Sequence, residues 1–352
     1  MLIFNKEEGY TLIIVLWSIV ILTLIFSYLL DDFFLENFLV ENYARQQEIK
    51  ETALSAYNIG LNFLLNDETL YDAGSDPWVK GVKGEIDGFK YTVSIKDIGS
   101  RINLNYDDPE IIERIDDWEG DLAKIYEYLE EGLMADLLFL KELLDVEDYQ
   151  ALRDYTTTYG NYNINQDSPR RINKILKFLD LTYVQNSVLA EGLAKLREEG
   201  QVIKDLDELP LLVEGLGVFL YEEIKPFLST EGRININLVD EEILEAIFLH
   251  YQLDRGLLDI ILSYREENEI KNLEDLNVLI DDEKFAEISG MFTTGSTFLE
   301  ISVHVETEEM IGYFISSVVK RVYQDGKWRI EVLTWSENEL FPRVIDDGVE
   351  KV

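Results

Sequence analysis

Three carboxylates at alternate positions, Asp117, Glu119 and Asp121, are the side chains whose type and spacing come nearest to a chemical site. Carboxylate oxygens are hard ligands that suit calcium. The same spacing is that of an acidic helix or turn facing water, so the metal ligands are left unknown: no cofactor is certain, and calcium is the one that is possible. Histidine chemistry is thin, because His250 ends a helix-like run and His304 lies in a strand-like alternation, which suits surface or partly packed roles. With no cysteine there is no disulfide, thiolate zinc site or cysteine nucleophile. Neither a triad nor a convergent carboxylate motif stands out, so catalytic residues are none and the chain is read as not an enzyme. A signal-anchored periplasmic enzyme using carboxylates of the acidic middle region is the alternative from a different class.

Charge narrows the partners. Seventy acidic against 31 basic side chains give a net charge of −39, a field that repels a phosphate backbone, so nucleic acid is excluded as a partner. A hydrophobic fraction of 47% with only 6 Pro argues for a folded chain, and 352 residues suggest two or three domains.

The elements that must position any site begin with a membrane segment. Tyr10 to Leu30 is uncharged, and as a helix it spans roughly 31 Å, the thickness of a bilayer core. Asp31 and Asp32 follow at once, which is unlike the small-residue cleavage site of a secretory signal. A retained span over 10–30 is therefore expected. Its helical period continues over 31–66 through Phe34, Phe38, Tyr43, Ile49, Ala53, Ala56, Ile59 and Phe63, with Glu36, Glu41, Arg45, Glu48 and Lys50 between them.

Strand signals flank a long helical middle. Phe89, Tyr91, Val93 and Ile95 share one face of an alternating run, as do Leu299, Ile301, Val303 and Val305. Tyr313 to Val322 and Trp328 to Trp335 follow, with Asp325-Gly326 as a hairpin turn between them. One sheet is thus divided into 67–105 and 292–337, before a tail at 338–352, by a helical insertion at 106–291. Inside it a phrase recurs: Asn103 and Asn105, Asn163 and Asn165, and Asn235 and Asn237 each precede a helix start, where such side chains cap free N–H groups. LREEGQVIKDLDEL and YREENEIKNLEDL repeat later, which predicts two related helical units, about 106–232 and 233–291.

Residues 1–9, ending in Gly9 directly before Tyr10, resemble a type IV prepilin leader. That family is cut after the glycine by a dedicated membrane peptidase. The whole chain resembles the general secretion pathway protein K family, the large minor pseudopilins of type II secretion. The match rests on Gly9, Val15-Leu16-Trp17, DIGSRINLN from Asp97, EGRININLVDEEILEAI from Glu231, STFLEISVHVE from Ser296 and VLTWSE ending at Glu337.

The resemblance implies an α+β fold: a long pilin-type helix, an antiparallel pilin-like sheet and an all-α insertion of two SAM-like units. It implies processing between Gly9 and Tyr10, an assembly helix carrying Ile14, Leu16 and Trp17, and a place at the pseudopilus tip. Ile14 stands where shaft-forming members carry Glu, and an unpaired carboxylate in lipid is costly. Implied partners are other minor pseudopilins, the major pseudopilin and the prepilin peptidase. The chain would cross the bacterial inner membrane once, with its bulk in the periplasm. Some members hold calcium near an Asp-Trp-rich motif, which Asp117-Trp118-Glu119-Gly120-Asp121 echoes only in part. A minor pilin of a type IV pilus or DNA-uptake system is the nearest alternative.

Overall fold

The computed structural model describes residues 6–115, 118, 120, 122–179, 183–278, 289–306 and 312–340. Helix α1 runs from Lys6 to Leu65, 60 residues without a proline. Its two halves meet different surroundings. From Tyr10 to Glu41 every side chain is exposed, whereas Ile49, Ala53, Ala56, Tyr57 and Leu64 are buried. The buried set repeats at helical spacing, so one stripe faces a sheet.

That sheet has five antiparallel strands in sequence order: β1 (Val82–Ile86), β2 (Phe89–Asp97), β3 (Phe298–Glu306), β4 (Gly312–Gln324) and β5 (Lys327–Leu340). Val93 lies opposite Val303 and Val303 opposite Ile315, which stacks apolar residues of three strands under α1. Small residues let the helix come close. A Cβ on Gly60 would stand 3.0 Å from a methyl of Val93. Asp325-Gly326 and Asp87-Gly88 both adopt the positive φ that a type I′ hairpin needs. The second of these turns, with β1, lies outside the strands expected from the sequence, because Val82–Ile86 carries Gly84 and no clean alternation.

The chain is α+β, a long helix on an antiparallel sheet interrupted between β2 and β3 by a helical insertion. Three details depart from the sequence expectation. Phe34, Phe38 and Tyr43 are about two-thirds exposed and join no core. The stripe that continues past the span therefore meets the sheet only from Ile49. β5 extends to Leu340, into the segment expected as tail.

The third departure concerns the insertion, which closes on itself three times. Ile102-Asn103 pairs in parallel with Thr156-Thr157, Tyr162-Asn163 with Leu228-Ser229, and Ile234-Asn235 with Phe292-Thr293. The stretch expected as one unit, 106–232, thus holds most of the first closed segment and all of the second. Apolar packing groups them differently again. The first and third segments share a core, with Ile111, Ile112 and Ile115 beside Ile243 and Ile247, while the second buries its own core with Tyr106. At the entry to the third closure a Cβ on Gly232 would lie 2.3 Å from the Met291 backbone, so no larger residue fits there.

Candidate functional site

Two sets of residues were expected to matter, the apolar helix and the paired asparagines. On α1, Ile14, Leu16 and Trp17 are all more than half exposed, and so is Tyr10. Hydroxyls in this stretch are satisfied locally, Ser18 Oγ donating to the Ile14 carbonyl at 2.9 Å and Thr23 Oγ1 to the Ile19 carbonyl at 2.8 Å. Such internal bonding is what a hydrocarbon solvent requires of polar groups. One 18-residue window within this helix reaches a mean hydropathy of 2.7 and buries nothing against the rest of the chain. Gly9 and Tyr10 both sit in helical backbone.

The paired asparagines form one device used three times. The first of each pair accepts the backbone N–H of the second through Oδ1, at 2.9 Å for Asn103 and Asn105, Asn163 and Asn165, and Asn235 and Asn237. The second then grips one distant residue from both sides. Asn105 accepts from the Met134 N–H and donates to its carbonyl, Asn165 does the same with Ile203, and Asn237 with Ile270. Carboxamides can do this because they carry donor and acceptor side by side. The capping expected of these residues falls instead to Asp108 and Asp240, whose carboxylates accept from Glu110 and Glu242 N–H groups.

The Arg-Glu-Glu repeat serves the same device. Arg197 donates to the Ile164 carbonyl at 2.7 Å, and Arg265 to the Ile236 carbonyl at 3.4 Å and that of Val239 at 2.8 Å. The first segment carries Leu129-Glu130-Glu131 at the corresponding place before Met134, with leucine for arginine, and this substitution hid that copy of the repeat in the sequence.

One guanidinium group ties the copies together, and a second braces the sheet body where the insertion joins it. In the first two segments Asp107 and Asp167 accept the N–H of Asn103 and Asn163, each at 2.6 Å. Arg233 bridges both carboxylates, bonding Asp167 at 2.6 Å and pairing with Asp107, and its guanidinium lies over the Tyr106 ring. Burial works against the charge of Arg233, but the two carboxylates overcome it and raise its pKa. Burial raises Asp167 despite its arginine partner. A cleft of about 300 Å³ opens beside this bridge, lined by Tyr106, Arg171 and Tyr251. Since Arg233 takes up both carboxylates, neither is left to act as an acid or base there.

The third segment has Val239 where the others have the aspartate, and Asn235 N–H donates at 2.7 Å to Ser100 Oγ instead. This copy is fastened to the sheet body. Asn235 and Asn237 both donate to the Asp72 carbonyl at 3.1 Å, and Ser100 and Ser296 hydroxyls both donate at 2.6 Å to Asp97. The Asp72 carboxylate pairs with Arg321, which also reaches Asp67 at 3.1 Å and lies 4.1 Å from the Trp328 ring centre. Burial pushes Asp72 and Asp97 above the usual carboxylate range, against the opposing pull of Arg321 on Asp72 and of the serine hydroxyls on Asp97.

Asp67, Asp72 and Asp76 bring carboxylate oxygens within 4.8 Å of one another, a spacing that could hold a metal ion. Arg321 already supplies positive charge to two of them, so the group reads as an ion-pair network. Asp117, Glu119 and Asp121, the calcium candidates, lie outside the described residues. No signal in the sequence marked Arg233, Arg321 or Asp72, whose partners are distant along the chain.

Neither a protein-family model nor a curated protein matches the chain. Among solved structures it aligns with the crystal structure of the GspK-GspI-GspJ complex from the type 2 secretion system of enterotoxigenic Escherichia coli. The sequence identity is 17% and the TM-score 0.34, over 84% of this chain and 99% of that one.

Proposed function

We propose that this chain is a minor pseudopilin of a type II secretion system, anchored in the bacterial inner membrane and placed at the pseudopilus tip, where it starts filament assembly for protein export. It is read as a structural subunit and not an enzyme. The observation that carries the reading is the division of α1. One continuous helix presents an apolar, wholly exposed half from Tyr10 and locks its other half under a sheet from Ile49.

In this reading a prepilin peptidase cuts between Gly9 and Tyr10, leaving the span as anchor. The exposed half then packs beside the equivalent helices of other minor pseudopilins and of the major pseudopilin. In lipid such contact comes from close side-chain packing rather than from a hydrophobic drive. Ile14 gives the subunit no carboxylate to pair with the amino terminus of a preceding subunit, which suits a first position. The folded body, with its acidic insertion, projects into the periplasm.

Expression of the full chain with and without prepilin peptidase, followed by mass spectrometry of the amino terminus, tests this. The expected result is a peptidase-dependent start at Tyr10 that Gly9→Val abolishes. An intact chain, or cleavage beyond Leu30, would overturn the reading.

A further inference from the structure

The free edge of the sheet is a second surface that the exposed helix does not account for. β5 is the last strand in the order, and among the described residues nothing pairs with its outer side. It runs 14 residues, well beyond the usual length of about five or six. Folded proteins usually blunt such an edge with short strands, inward charges or bulges. Here one bulge is present: Val318 pairs with Thr334 and Val319 with Val332, so Leu333 is the extra residue. The bulge interrupts the ladder and leaves Thr334–Leu340 as an unbroken stretch of about ordinary strand length.

We propose that Thr334–Leu340 accepts a strand from another protein, an extended segment whose alternate side chains, those on the face of Trp335 and Glu337, are basic. A row of backbone N–H and C=O groups selects an extended backbone as its occupant. Side chains beside it specify the rest. Trp335 is 42% exposed, its ring held edge-to-face against Tyr57 at 4.8 Å, and it shares its face of the strand with Glu337. Beyond Arg329 the strand carries Glu331, Glu337 and Glu339 and no basic residue. Glu337 pairs with Lys50 at 2.7 Å and also bonds Tyr313. A second copy of the chain is disfavoured, since it would bring like charges across the new ladder and a second body of charge −39 beside the first. The inference stands apart from the assembly reading, because the same edge would be presented on any membrane that α1 anchors.

Hydrogen exchange on the full chain in neutral detergent tests it, with a capped synthetic peptide of alternating valine and lysine, about eight residues long, as probe. Expected is a slowing, on the order of tenfold, of amides within residues 334–340, with no such effect from the same peptide methylated on alternate backbone nitrogens. A valine–glutamate peptide should bind at least about tenfold more weakly. Equal protection by the methylated peptide, or equal binding by the acidic one, would overturn the proposal. So would prior protection of the edge in the free chain. If that protection vanishes when the chain is ended at Leu340, its own residues 341–352 are the occupant. If it grows with protein concentration, a second copy is.

Discussion

Val93, Val303 and Ile315 meet under α1 as methyl groups on methyl groups, while Asn105, Asn165 and Asn237 hold the insertion shut with three side-chain hydrogen bonds each. Both regions join residues far apart in sequence. The sheet body does so by area, which tolerates small changes and builds strength from many weak contacts. The insertion does so by matched donors and acceptors, few in number and each costly to lose. Where the two regions meet, at Asp72, Asp97, Asn235 and Arg321, the second method is used. The insertion is therefore fastened at a few identifiable points, and its orientation on the body depends on them.

Breaking that junction should have the largest effect. Arg321 is fully buried against Asp72 and Asp67, so Arg321→Met leaves a buried carboxylate unpaired and should cost about 3–5 kcal/mol in denaturant unfolding. Adding Asp72→Asn should restore part of that loss, because the orphaned charge is then removed. Arg233→Met should cost less, since its side chain and that of Asp107 keep some exposure to water. A larger loss from Arg233 than from Arg321 would mean that the insertion, not its attachment, limits stability.

The repeated clamp gives a sharper comparison. Asn105→Ala, Asn165→Ala and Asn237→Ala each remove bonds to one N–H and two carbonyls, and each should cost about 2–3 kcal/mol by the same measurement. Asn237→Ala should exceed the other two, because its further bond reaches Asp72 in the sheet body, whereas those of Asn105 and Asn165 go to Thr158 and Thr230 inside the insertion. Equal losses at all three sites would show that the third clamp contributes nothing to the attachment.

Acidity tests the junction through its buried carboxylates. Asp72 and Asp97 have folded pKa values above the unfolded carboxylate value of 3.8, so the folded state binds more protons between the two values. Their contribution to stability is full below the unfolded pKa and is lost as pH rises through the folded one. Stability should fall as pH rises from about 4, and Asp97→Asn should flatten that slope in urea titrations at several pH values. An unchanged slope would assign the pH dependence to the general repulsion of a highly acidic chain.

Four of the five strands, the long helix and the helical character of the insertion were legible because each rests on a local period, which Val82–Ile86 lacks. Tyr91, Val93 and Ile95 alternate, and Ile49, Ala53 and Ala56 recur at helical spacing. The asparagine phrase was legible as a repeat, but its role was not. Whether Asn165 caps the next helix or grips Ile203 depends on a residue 38 positions away. The first copy of the Arg-Glu-Glu repeat was hidden by Leu129, and the attachment by Val239 and Ser100, each of which is ordinary in its own neighbourhood. Long-range polar pairing leaves no period to read.

The smallest effect on stability should come from the exposed half of α1, and there the contrast between the regions carries functional weight. Ile14 touches no core, so Ile14→Glu should change the unfolding free energy of the body in detergent by no more than about 0.5 kcal/mol. In a membrane the same carboxylate meets hydrocarbon unless a positive partner lies beside it. On the assembly reading, a free Tyr10 amino terminus of a neighbouring subunit is such a partner. Ile14→Glu should then let the subunit enter below the tip, detected as crosslinks to the major pseudopilin on both its upper and lower sides. If crosslinking stays one-sided while the body remains fully folded, the lack of a carboxylate at Ile14 is not what sets the subunit's position. The tip assignment would then have to rest on the bulk of the insertion instead.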